Sequence, residues 1–143
     1  MYSNIFSLGT SYFIDIEDIE NIVKYNVTVG VSDINFIRGL ARTNKVVKVH
    51  IELETGMNRT GININDLEEF IDEINLNKNI LVEGIYTHFS SADSDLEYTN
   101  KQFETFKKAL QITKNKIDTI KYIHTSASNG IINLEEKITN LIR

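Results

Sequence analysis

Apolar and polar positions follow two different periods along the chain. Ile5-Phe6-Ser7-Leu8 reads as a short strand closed by Gly9-Thr10. From Asp15 to Tyr25 the apolar residues Ile16, Ile19, Ile22 and Val23 have helical spacing, with Asp15, Glu17 and Asp18 near the start, where carboxylates favour a helix N-terminus. Val27 to Val31 is β-branched and strand-like, and Ser32 and Asp33 offer an N-cap for a helix through Leu40 and Ala41. Val46 to Leu53 reads as a strand. A helix carrying Leu67, Phe70, Ile71 and Ile74 begins at Asn65 or Asp66. Ile80 to Tyr86 reads as a strand, Asp95 to about Asn115 as a long helix with Phe103, Phe106, Leu110 and Ile117 inward, and Tyr122 to His124 as a strand. A short helix from about Asn129 and a last strand over Thr139 to Ile142 complete the pattern.

Six strands separated by helices imply a parallel sheet with right-handed crossovers. An open doubly wound sheet and a (β/α)8 barrel both fit. The strand at Val46 separates them. Val47, Val49, Ile51 and Leu53 are apolar, whereas the intervening Lys48, His50, Glu52 and Glu54 are polar. A parallel strand covered by helices on both faces would be apolar on both. A barrel strand packs one face on helices and turns the other into the lumen. The expected fold is α/β: a partial (β/α)8 TIM barrel of about six of eight βα units, filling residues 1–143 as one domain. An incomplete barrel leaves edge strands that are a folding liability.

Composition narrows the chemistry. The 143 residues include no Cys, Pro or Trp, so there is no disulfide scaffold, thiolate nucleophile or Cys-bound metal. A hydrophobic fraction of 41% supports a buried core, and a net charge of -5 argues against nucleic-acid and anionic-membrane partners. No apolar run is long enough to span a bilayer, and Met1-Tyr2-Ser3-Asn4 has no basic secretory n-region. A cytoplasmic location is therefore expected. The chain ends on the apolar Leu141-Ile142-Arg143, which reads as a cut end.

Candidate chemistry lies at strand ends, where barrel enzymes place their sites. Glu54-Thr55-Gly56-Met57-Asn58-Arg59-Thr60-Gly61 brackets an Arg between glycines, which suits a guanidinium held near a ligand or an ordinary turn with a solvated Arg. His88, in Tyr86-Thr87-His88-Phe89, reads as an acid/base or ring-stacking residue, or as a structural His. His124-Thr125-Ser126-Ala127-Ser128-Asn129-Gly130 places hydroxyls at a helix start, either an anion site or a plain N-cap. Arg143, ending an apolar strand, seeks an acceptor or solvent.

Together these segments resemble one family. Val49-His50-Ile51-Glu52-Leu53-Glu54-Thr55-Gly56-Met57-Asn58-Arg59-Thr60-Gly61 is similar to the V-H-x-K-x-D-T-G-M-x-R-x-G stretch of alanine racemases. Gly84-Ile85-Tyr86-Thr87-His88-Phe89-Ser90-Ser91-Ala92-Asp93 resembles their G-x-x-T-H-F-x-x-A-D stretch. Gln102-Phe103-Glu104-Thr105-Phe106 fits a following Q-x-x-x-F helix, His124 to Gly130 an H-x-x-x-S segment, and Ile142-Arg143 the start of V-R-x-G-I. The resemblance covers nearly the whole chain and extends to the racemase halves of membrane serine/alanine racemases.

The resemblance implies a bacterial isomerase that uses pyridoxal 5'-phosphate (PLP), with a barrel followed by a β-domain. Its substrate is alanine or serine, and its D-alanine serves the cell wall. Arg59 then maps onto the Arg that contacts the cofactor's phenolic oxygen, His88 onto the His against the pyridine ring, Ser128 onto the phosphate-binding Ser, and Arg143 onto the Arg on the pyridine nitrogen. An Arg there leaves that nitrogen unprotonated and weakens the ring as an electron sink. Glu52 stands where the family often has a Lys that can be carbamylated, and is expected to supply that anion directly and to orient Arg59. Glu54 replaces a shorter Asp, and Ala127 a frequent Asn.

Two family parts find no counterpart. The cofactor-anchoring Lys belongs to a V-K-A-N-A-Y-G-like block at the first barrel strand, and a catalytic Tyr comes from the β-domain across a homodimer. The expectation is a fragment, catalytically incomplete alone. The alternatives are a non-catalytic remnant or interaction module, and a β-domain-less PLP-barrel protein, against which the Thr-Gly-Met-Asn-Arg block argues.

Overall fold

The computed structural model describes residues 5–7, 15–126 and 138–141. Its elements in chain order are β1 (Phe6–Ser7), α1 (Ile16–Lys24), β2 (Thr28–Val31), α2 (Ile34–Ala41), β3 (Val47–Glu54), β4 (Ile62–Asn63), α3 (Leu67–Asn75), β5 (Ile80–His88), α4 (Leu96–Lys116) and β6 (Tyr122–Ser126). Three helices start where a carboxylate takes an orphan backbone N–H. Asp15 accepts from Asp18, Asp33 from Phe36 and Asp95 from Tyr98, each at 2.9 Å.

The strands are parallel in the order β1-β2-β3-β5-β6, with β4 paired to the end of β3. The apolar face of β3 supplies Val47, Val49, Ile51 and Leu53 to a core shared with α2, α3 and α4, including Ile37, Leu40, Phe70, Ile71, Phe103 and Phe106. The other face carries the buried His50 and Glu52. This is the division expected from the alternation in sequence.

Ring contacts show that the sheet curls. Phe6 of β1 lies 5.4 Å from His124 of β6, centroid to centroid, although β2, β3 and β5 stand between them in the sheet. In a flat sheet strands that far apart would be separated by roughly 19 Å, four strand spacings. Phe6 also meets His50 at 4.3 Å and Tyr86 at 5.9 Å, so these rings fill the concave side. The architecture is a partial TIM barrel: helices outside, rings and polar groups inside.

Three details differ from the sequence reading. β5 continues through Thr87 and His88, so His88 belongs to the strand and does not follow it. β4 was not expected; it is too short to have a period of its own. Residues 138–141 do not form the expected last strand. Asn140 instead borders β6: its backbone N–H donates to the Ile123 carbonyl at 2.9 Å, its side-chain oxygen accepts from Ile123 N–H at 2.8 Å, and its amide donates to the Lys121 carbonyl at 2.7 Å. The side chain thus serves where a continued ladder would. The short helix expected from Asn129 lies outside the described residues.

Candidate active site at the strand ends

The loop after β3 is built around carboxylates. Gly56, Asn58 and Gly61 have φ of +137°, +55° and +110°, values suited to Gly and tolerated by Asn. Glu54 holds the loop at two points: one carboxylate oxygen accepts from Gly56 N–H, the other from Arg59 N–H at 3.3 Å. Asn58 donates from its side chain to the Gly56 carbonyl at 3.3 Å. The loop then returns so closely that a Cβ on Gly61 would lie 2.5 Å from the backbone nitrogen of Glu54. Ile62 and Asn63 pair with Leu53 and Glu54 and close it. Arg59 is left exposed at the tip.

Glu52 is 5% exposed and accepts a hydrogen bond from the Thr60 hydroxyl at 2.8 Å. That contact joins the buried carboxylate to the residue next to Arg59. The carboxylate that touches Arg59 itself, at the backbone, is Glu54. The sequence marks Glu54 as a longer counterpart of the family's Asp, on the same strand face as Glu52 and at the head of the candidate loop. Its signal was available: an acidic residue just before a Gly-bounded turn whose amides need acceptors.

The second component is the end of β5. Thr87 pairs with Leu53 and Thr125, and His88 with Ser126, so the ends of β3, β5 and β6 stand at one level. His88 is half-buried and shares strand parity with the inward-facing Tyr86. The hydroxyls of Thr55 and Thr87 lie 2.8 Å apart, and Thr87 donates to the Leu53 carbonyl at 2.9 Å, which ties the Arg59 loop to the strand carrying His88. Arg59 and His88 therefore belong to the same mouth of the half-barrel, and Glu52 lies beneath it. Ser128 and Arg143 lie outside the described residues.

Below the mouth, His50 Nδ1 and His124 Nε2 are 2.9 Å apart, and Tyr86 stacks on His124 at 4.8 Å and 9°. Burial pushes the His50 pKa down from 6.5 to about 4, because the charged ring would lose its hydration. His50 is thus a neutral imidazole in the lumen. Among the described residues no group of three or more His, Asp or Glu side chains could hold a metal ion.

Residues 2–143 match the family model described as alanine racemase, N-terminal domain. The chain belongs to the alanine racemase family. An alanine racemase of Halothermothrix orenii is 37% identical over 130 residues, covering 87% of this chain and 34% of that protein. Alanine racemase 2 of Clostridium acetobutylicum is 31% identical over 128 residues, covering 85% and 32%. Among solved structures, an alanine racemase of Clostridium difficile 630 superposes with a TM-score of 0.85 at 27% identity, over 98% of this chain and 37% of that one. The Bacillus anthracis alanine racemase with bound L-Ala-P gives 0.85 at 26% identity, over 100% and 38%. The chain spans about a third of the length of the relatives it matches. Among the described residues, no helix is long and apolar enough to cross a membrane.

Proposed function

We propose that this polypeptide is the central part of the barrel of a PLP-dependent alanine racemase, interconverting L- and D-alanine in the cytoplasm as a homodimer and supplying D-alanine for the cell wall. The observation that carries the reading is the fastening of the Arg59 loop to the His88 strand end at one mouth of a half-barrel. The donor set suits an anionic aromatic cofactor. Arg59 offers an always-charged, exposed guanidinium, and His88 a ring above a lumen lined by aromatic groups.

PLP, when bound, withdraws electrons from the substrate's α-carbon and makes its proton removable. The chain's own residues bind and orient. By the family resemblance, Arg59 would pair with the phenolic oxygen and the substrate carboxylate, His88 would support the pyridine ring, Ser128 would hold the phosphate and Arg143 would serve the ring nitrogen. Glu52, through Thr60, keeps the Arg59 loop at its height. The two bases that would move the α-proton belong to segments with no counterpart in this sequence, so the chain alone does not racemise alanine.

A chimera tests this reading. The matching 130 residues of the Halothermothrix orenii enzyme are replaced by those of this chain. A chimera that binds PLP and racemises alanine, and loses that activity with Arg59→Ala, supports it. A folded, dimeric chimera that binds no PLP or leaves alanine unchanged defeats it and favours a non-catalytic remnant.

A further inference from the structure

One side chain of α4 is fastened to both loops of the mouth. Gln102 is 1% exposed. Its side-chain oxygen accepts from the Ser90 backbone N–H at 3.1 Å and from the Ser90 hydroxyl at 3.3 Å, just beyond His88. Its amide nitrogen donates to the Thr55 hydroxyl at 3.4 Å, at the start of the Arg59 loop. One turn earlier, Tyr98 donates its hydroxyl to the Gly56 carbonyl at 2.6 Å. A Cβ on Gly56 would lie 2.6 Å from that hydroxyl and 3.2 Å from Gln102 Cγ, so the loop backbone rests directly on the helix.

The direction of these bonds specifies the residue type. Thr87 spends its proton on the Leu53 carbonyl, so in the Thr55–Thr87 pair Thr55 is the donor. The remaining lone pairs of Thr55 then need a donor, and the Ser90 N–H needs an acceptor. Only a side chain with both, at this length, satisfies the two: Gln does, while Glu and Met do not. A buried amide costs desolvation that an apolar residue would avoid, and here the three bonds named above all go to the loops of the mouth.

We propose that Gln102 is a positioning residue, which sets the Arg59 loop and the His88 strand end at a fixed separation. Its functional meaning rests on the reading that Arg59 and His88 serve one ligand; the tie itself does not. The test is residue-resolved amide hydrogen exchange on the 143-residue chain, in the wild type, Gln102→Met and Gln102→Glu. In the Met variant, exchange at Gly56, Arg59 and Ser90 rises at least about tenfold while Val49 to Leu53 stays protected. The Glu variant keeps an acceptor, so Ser90 stays protected and only Gly56 and Arg59 accelerate. Uniform acceleration across the chain, unchanged loops, or identical Glu and Met profiles would overturn the proposal. PLP titration of the chimera described above, which supplies the anchoring Lys segment, with and without Gln102→Met, separates the two readings. Weaker binding by the Met variant links the tie to the cofactor. A folded chimera that binds no PLP, with the split exchange pattern intact in the 143-residue chain, removes the cofactor reading and leaves the tie standing.

Discussion

His50 on β3 and His124 on β6 share a 2.9 Å hydrogen bond across β5, the strand between them. Gly84, opposite His50 in the register, makes this possible: a Cβ there would come within 2.6 Å of three atoms of the His50 ring. Gly84→Ala should therefore force the ring aside and cost about 1–3 kcal/mol, the range for overpacking a filled core. Urea unfolding measures this, and an unchanged midpoint would show that the lumen has room the packing does not suggest.

The same ring predicts a pH dependence. The His50 pKa falls from 6.5 to about 4 through burial, so the unfolded chain binds the proton more readily than the folded one. Stability from this group is complete above pH 6.5 and is lost as the pH falls towards about 4. The rings of Phe6, Tyr122 and His124 face His50 and none carries a negative charge to hold an imidazolium. Thermal unfolding across that window should give a falling melting temperature in the wild type and a flatter profile in His50→Gln. Equal slopes would assign the acid sensitivity to other groups.

Much of this was legible in the chain because strand parity is a hard geometric rule. Four apolar and four polar positions alternating from Val47 to Glu54 set the two faces of β3, and the N-cap offered by Ser32 and Asp33 is realised at Asp33. What was not legible depends on partners distant in sequence. Ile62-Asn63 becomes a strand only because Gly61 lets the loop return to Leu53. The Thr139–Ile142 run has the composition of a strand, yet Asn140 meets β6 with one backbone bond and two from its side chain. Gln102, a polar position within a helix motif, shows its bonds only once Thr55 and Ser90 are brought beside it.

The double grip of Glu54 predicts an asymmetric substitution series. Its two oxygens serve the amides of Gly56 and Arg59. Glu54→Gln keeps one acceptor and leaves one amide without its partner, which should cost about 1–2 kcal/mol. Glu54→Asp retains both acceptors and should cost less. Denaturation midpoints of the three chains decide it; a Gln variant as stable as wild type would reduce Glu54 to a solvated strand end.

Lysine placement predicts the outcome of reductive trapping. Among the described residues, Lys24, Lys101, Lys107, Lys108, Lys114 and Lys116 lie on α1 and α4, Lys45, Lys78 and Lys121 precede β3, β5 and β6, and Lys48 is the second residue of β3, all of these last four at the strand ends opposite the Arg59 loop. Borohydride added to the chain with PLP should leave no single lysine selectively modified, as mass mapping would show. Stoichiometric labelling at one site would mean that the chain anchors the cofactor unaided.

The buried carboxylate of Glu52 gives the sharpest test of the mouth as a catalytic element. Gln at this position can still accept from the Thr60 hydroxyl, so Glu52→Gln leaves that hydrogen bond in place and removes the charge. A charged hydrogen-bond partner in a half-buried site is stronger than the same pair in water. In the chimeric racemase the substitution should lower kcat/KM by an amount equal to about 1–3 kcal/mol, with the unfolding midpoint nearly unchanged. Added bicarbonate should not restore the loss, because no lysine stands at position 52 to be carbamylated. Wild-type kinetics in the Gln variant would confine Glu52 to holding Thr60. A parallel fall in stability and activity would make the carboxylate a structural group whose charge the reaction does not use.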